Sequence, residues 1–165
     1  INLQNDTLFP KIISQLTLQN METDPQTDFV GSSEIFDIKN FKYFSLNNQL
    51  VFYTNYHNDV RTNDFGNHTF EIINPLTRKR WRLEFVQAYS CIMRIYQNET
   101  VQRVILKRNA FDVYRYKGGF LFTIDKTIFG NPLKLKIQYY VSSRDSSGKI
   151  IFRGDETRFL EIDTR

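Results

Sequence analysis

A single cysteine, Cys91, stands in a chain of 165 residues. No intrachain disulfide can form, so the fold has to rest on its core, which a chain of this length can build. Histidine is nearly as scarce, with only His57 and His68, and Trp81 is the one tryptophan. No apolar run approaches the roughly 18 residues of a membrane span. The chain opens on Ile1 with neither a starting Met nor a signal-peptide pattern, which reads as a mature product or a cleaved fragment. No G-x-S-x-G, H-E-x-x-H or phosphate-cradling glycine loop occurs. These absences remove the commonest catalytic and cofactor signatures, and the expectation is a protein without enzyme activity or cofactor.

What is abundant is aromatic. Fifteen Phe and nine Tyr lean the chain toward strands, because flat and β-branched side chains fit a pleated surface. Charged residues make up 24% against 41% hydrophobic, a balance that excludes disorder as the main state. The net charge of +4 permits an anionic partner without demanding one.

Read in order, residues 1–33 form an N-terminal arm and connecting loop, and residues 34–165 a single β-domain. Pro10 suits the first position of a short helix, with Ile12, Ile13 and Leu16 on one side. The alternative is an extended arm, since Leu16 and Leu18 also alternate with polar neighbours. Residues 21–33 are polar with Pro and Gly and read as loop. Strands are expected over 34–38, 41–46, 50–56, 69–73, 80–85, 91–96, 101–107, 111–116, 120–125, 133–141, 150–153 and 158–162. Residues 57–67 make the longest polar loop, and Lys117-Gly118-Gly119 is the clearest hairpin turn. The fold class is therefore all-β, an antiparallel sandwich or barrel of about 10 short strands with a short N-terminal helix or arm.

The hairpin over 69–85 carries the sharpest pattern. Trp81, Leu83 and Phe85 alternate with Arg80, Arg82 and Glu84, which assigns the first set to a core and the second to an outer face. From 133 to 141, Leu133, Leu135, Ile137, Tyr139 and Val141 are expected inward, and Lys134, Lys136, Gln138 and Tyr140 outward. A loose repeat of aromatic, acid and β-branched residues recurs at Phe36-Asp37-Ile38, Phe70-Glu71-Ile72 and Phe111-Asp112-Val113. Strand, turn and hydrophobic strand, as in F-E-I-I-N-P-L-T-R-K-R-W-R-L-E-F and again through F-D-V-Y-R-Y-K-G-G-F-L-F-T-I, resembles the phospholipid-scramblase and LURP-one branch of tubby-like domains over residues 34–125. The resemblance implies a closed β-barrel whose basic surface meets membranes or phosphoinositides. The cysteine cluster and acidic calcium segment of the scramblases have no counterpart here, so scramblase activity is not implied.

The candidate ligand-binding residues are Arg78, Lys79, Arg80 and Arg82 on this hairpin, with Tyr114, Arg115 and Tyr116 further on. Arg94, Arg115, Lys134 and Lys136 are expected to point outward as well. Guanidinium groups pair with phosphate, sulfate or carboxylate, and tyrosine rings stack on bases or sugars. Outward Lys and Arg are also ordinary solvation of a strand. Cys91 falls in phase with Met93 and Ile95, which marks it as a buried thiol rather than half of a Cys–His pair, and His57 and His68 read as surface residues at strand ends. Asp59 and Asp64, beside Asn58 and Asn63, offer oxygen ligands on one loop but in no calcium-loop spacing, so no metal site is assigned. Three sequons, at Asn5, Asn67 and Asn98, are candidate glycosylation acceptors, about as many as chance would place. The preferred reading is a binding domain for a protein or an anionic ligand (membrane phosphates, glycan or nucleic acid) on the basic hairpin. The alternatives are a secreted or cell-surface glycoprotein module with a carbohydrate-binding sandwich, and a capsid-like assembly subunit. Composition does not separate a secreted protein from an intracellular one.

Overall fold

The period-two patterns become twelve strands in the computed structural model, which describes residues 20–23, 37–46, 48–57, 66–87, 89–116, 118–144 and 150–164. They are β1 (Asn20–Thr23), β2 (Ile38–Leu46), β3 (Gln49–Tyr56), β4 (Asn67–Ile73), β5 (Arg80–Gln87), β6 (Ser90–Gln97), β7 (Thr100–Ile105), β8 (Phe111–Tyr116), β9 (Gly119–Asp125), β10 (Lys134–Arg144), β11 (Ile150–Glu156) and β12 (Leu160–Asp163). All pairings are antiparallel. The smaller sheet runs β1-β2-β3-β9-β8 and the larger runs β11-β10-β4-β5-β6-β7, with β12 beside the N-terminal half of β10. The strands thus form two separate sheets, a sandwich, and not the closed barrel that the tubby-like resemblance implies. The helix expected near Pro10, the strand start at residues 34–36 and Asp59 and Asp64 lie outside the described residues. Residues 21–23, expected as loop, belong to β1, which pairs with β2 near Lys42.

The turns form where the sequence supplies the chemistry. Asn74 begins the β4–β5 turn, its side-chain oxygen accepting from the backbone N–H groups of Leu76 and Thr77 at 2.9 and 3.2 Å. Arg78 then takes the left-handed conformation at φ 62°, and its N–H donates to the Asn74 carbonyl. The β8–β9 turn uses Gly118 at φ 73°, where only glycine is unstrained. After β9, Asp125 caps a short 3-10 turn at Lys126–Phe129 that the sequence patterns do not announce. It delivers Phe129 edge-on to Trp81 at 5.1 Å.

Between the sheets lies an aromatic core. Phe41, Phe52, Phe120 and Phe122 from the smaller sheet meet Phe70, Phe85 and Tyr139 from the larger. Trp81, Leu83 and Phe85 are buried as expected, and so are Leu135, Ile137, Tyr139 and Val141. Leu133 is not: it precedes the strand and is 60% exposed. Of the three copies of the loose repeat, Phe70-Glu71-Ile72 lies inside β4 and Phe111-Asp112-Val113 opens β8, while Phe36 lies outside the described residues.

His68 corrects the surface assignment. It lies in β4, fully buried, because the strand starts at Asn67, two residues earlier than expected beside the polar loop. Its Nδ1 is 2.7 Å from the Tyr139 hydroxyl, which is itself 2.7 Å from the Tyr56 hydroxyl. This chain of polar groups satisfies three side chains that would otherwise be costly to bury. The same burial has an alkaline consequence. Burial pushes the Tyr53 hydroxyl up to about 12, helped by nearby Tyr116. It also raises Tyr56 and Tyr139, and the buried Cys91 thiol. Each folded group holds its proton beyond its unfolded value, so this stability is complete below that value and is lost as pH rises through the folded one. The melting temperature should therefore fall as pH climbs from the ordinary tyrosine value of 10.0 toward about 12. A flat melting temperature over that window would contradict the buried hydroxyls.

Candidate functional site

Alternation that sends aromatics inward on β4, β5 and β10 sends polar groups to the outer face of the larger sheet. Register then lines them up: Gln138 lies beside Glu71, Glu71 beside Arg82, and Arg82 beside Arg94. One residue pair along, Tyr140, Thr69, Glu84 and Ile92 follow in the same order. A cleft of about 500 Å³ opens over this face, in the size range of small-molecule sites. Asn67, Thr69 and Glu71 line it from β4, Arg80, Arg82 and Glu84 from β5, and Gln138, Tyr140 and Ser142 from β10. Phe159, between β11 and β12, adds an aromatic ring that is 46% exposed.

The groups in the middle of the cleft hold one another in place. Arg82 Nε donates to Glu71 Oε1 at 2.5 Å, and the Tyr140 hydroxyl donates to the same oxygen at 3.2 Å. Arg94 and Asn67 donate to the two oxygens of Glu84 at 3.2 and 3.3 Å. Gln138 donates to the Thr157 carbonyl at 2.9 Å, tying the sheet to the loop that carries Phe159. Partial burial opposes charge on Arg82, yet the hydrogen bond and charge of Glu71 outweigh it and hold the guanidinium protonated. The Tyr140 hydroxyl is raised by burial and then by the Glu71 carboxylate, so it stays a donor. Three polar atoms of this face find no hydrogen-bond partner among the described residues: Asn67 Oδ1, Glu71 Oε2 and Arg80 Nε. Asn67 and Glu71 are only 2% and 6% exposed, so these are groups already withdrawn from water with bonding capacity to spare.

The seven residues singled out from sequence do not converge. Arg80 and Arg82 face the cleft, and Arg78 sits at the turn beside it. Lys79 folds its ammonium over the Trp81 ring at 5.4 Å. Tyr114 and Tyr116 stand on the outer face of the smaller sheet, on the opposite side of the sandwich. Arg115, expected outward, shares its parity with buried Phe111 and Val113 and lies over the Phe120 ring at 5.0 Å. Of the sequons, Asn67 is buried with its amide bonded to Glu84, which removes it as an accessible acceptor in the folded chain. Asn98 is exposed at the β6–β7 turn, and Asn5 lies outside the described residues. Among the described residues no three His, Cys, Asp or Glu side chains converge as a metal ion would require, and no helix is long and apolar enough to cross a membrane.

No protein-family model matches the sequence, and no curated protein is similar to it. Among solved structures, the chain is similar to a candidate carbohydrate-binding protein from Bacteroides uniformis, with a TM-score of 0.53 at 8% identity over 89% of this chain and 82% of that one. At that identity the likeness concerns the fold alone.

The sequence named Arg80 and Arg82 but missed Asn67, Glu84, Gln138 and Phe159 as members of a site. Outward parity of Glu84 and Gln138 was legible. Their convergence depends on β10 pairing with β4, more than sixty residues away in sequence, for which no local signal exists.

Proposed function

We propose that this chain is a non-catalytic glycan-binding module, with the sugar held on the polar outer face of the larger sheet. The observation that carries the reading is the set of buried, unpartnered polar atoms on one cleft, Asn67 Oδ1, Glu71 Oε2 and Arg80 Nε. A sugar presents closely spaced hydroxyls that both donate and accept, and such a set matches them pair by pair. The surrounding ion pairs fix these groups before any ligand arrives, which lowers the ordering cost of binding. Phe159 supplies the complementary apolar element, because the C–H face of a sugar ring meets the negative face of an aromatic ring. The name of the Bacteroides uniformis structure points the same way. In this reading the basic hairpin contributes one wall of the cleft rather than a surface of its own.

Titration calorimetry against a panel of neutral and acidic polysaccharides tests it. Wild-type protein should bind at least one of them. Phe159→Ala, an exposed position, should lower that affinity by up to about tenfold with an unchanged melting temperature. Absence of binding across the panel would sink the proposal, as would a Phe159→Ala and a Glu71→Gln variant that both bind undiminished.

A further inference from the structure

The cleft does not end at Arg80. A second depression of about 400 Å³ continues past it, lined by Ile73, Arg78, Arg80, Tyr96 and Asn98. Arg80 belongs to both. Charge is distributed unevenly along this path. In the middle, Arg82 and Arg94 are neutralised by Glu71 and Glu84. At the hairpin end, Arg78 and Arg80 have no ion pair among the described residues, and no carboxylate lines the depression. Arg80 is also pre-set in geometry. Its guanidinium lies over the Tyr96 ring at 4.4 Å, which fixes the plane of its donors. Its Nε is buried with no partner among the described residues. A rigid guanidinium with spare donors, beside a second one and without a counter-ion from the chain, is built for a planar or tetrahedral oxyanion.

We infer that the glycan bound here is acidic, and that a carboxylate or sulfate group on it seats between Arg78 and Arg80. The inference rests on the glycan-binding reading above and narrows it to one class of sugar. Lys79, one residue away, adds to the local positive potential without entering the depression. Neutral sugar units occupy the middle of the cleft, where the paired charges present hydrogen bonds and no net field.

The test uses matched oligosaccharides: oligogalacturonate and its fully methyl-esterified form, and a sulfated galactan oligosaccharide and its desulfated form. Calorimetry at two salt concentrations should give at least one charged form about ten- to a hundredfold tighter than its neutral counterpart, as a charge-assisted contact provides. That preference should shrink at high salt. Arg78→Gln, which lines only the second depression, should narrow the gap while leaving affinity for the neutral form unchanged, and Arg80→Gln, which lines both, should narrow the gap and weaken the neutral form as well. Arg78 is exposed, so that variant remains informative if the partly buried Arg80 variant is destabilised. The two charged arms identify the anion as carboxylate or sulfate. Equal affinity for charged and neutral forms would overturn the acidic specificity and leave the glycan reading standing. Absence of binding to all four, and across the wider panel, would overturn both.

Discussion

Replacing Phe70 with alanine is expected to lower the unfolding free energy by about 3–5 kcal/mol. Phe70 sits at the centre of β4, the middle of the larger sheet, and reaches across the sandwich. Its ring is 5.1 Å from both Phe52 and Phe122 of the facing sheet and 5.2 Å from Tyr139 of its own. Phe85 stands edge-on at 5.9 Å, and Phe41 lies tilted at 6.4 Å. These neighbours are large, stiff rings held by their own strands, so the hole left by the substitution has little chance to collapse. Tyr139 is further tied by hydrogen bonds to His68 and Tyr56, which limits its movement into the space. Domains of this kind have only about 5–15 kcal/mol in total, so the loss is a large share of it. Equilibrium urea denaturation measures it directly, with the slope unchanged if only the folded core has been weakened. A loss under about 1 kcal/mol would mean that Phe70 does not bridge the sheets.

The next residue along makes the contrast. Glu71 belongs to the same strand and the opposite face, and its replacement by Gln is expected to act on the ligand rather than mainly on the core. That division of one strand into a buried face and a polar outer face was legible from sequence. F-E-I alternates, and R-W-R-L-E-F on β5 alternates against it, because a strand buried on one side must place every second residue in the core. The hairpin joining them was legible too, since an Asn side chain is a local device that closes a turn on its own backbone.

What stayed hidden was non-local. Nothing near Gln49–Tyr56 says that its second neighbour is Gly119–Asp125, nor near Asn67–Ile73 that it is Lys134–Arg144. Register between distant strands is set by the fit of whole faces. Clustering Arg80 and Arg82 with Tyr114 and Tyr116 on outward parity alone therefore joined residues from opposite sides of the sandwich. His68 was misjudged for a related reason. A polar residue next to a polar loop reads as surface unless its buried partner is known, and Tyr139 is 71 residues away. The edge strand β7 shows the limit of alternation itself. Val101 and Ile105 are 59% and 65% exposed, because they pair with Tyr96 and Ile92 on the outer face, while Val104 on the opposite parity packs against the core.

Gly119→Ala is expected to be as damaging as the loss of Phe70, by the opposite mechanism. A Cβ built on Gly119 would stand 1.9 Å from the Thr54 carbonyl oxygen, 2.8 Å from the Asn55 Cα and 2.9 Å from the Thr54 carbonyl carbon. All three atoms are backbone of β3, so no rotamer change can make room. The strands must either separate by more than an ångström at the Asn55–Gly119 pair or slip in register, and a one-residue slip would turn Phe120 and Phe122 away from the core. The β3–β9 pairing is also what joins the β2–β3 and β8–β9 hairpins into one sheet. The cost should lie at or above the upper end for overpacking, about 3 kcal/mol, which corresponds to roughly 6–12 °C in melting temperature for a chain of this size. Gly118 is the internal control. A Cβ there meets nothing within 4 Å, and the penalty comes only from its φ of 73°. Gly118→Ala should therefore cost about 1 kcal/mol, and Gly118→Asn less, since Asn tolerates the left-handed region. Two adjacent glycines thus separate steric from conformational demand. If Gly119→Ala melted within about 2 °C of the wild type, the close approach of β9 to β3 would be absent, and the smaller sheet would have to be paired in another register.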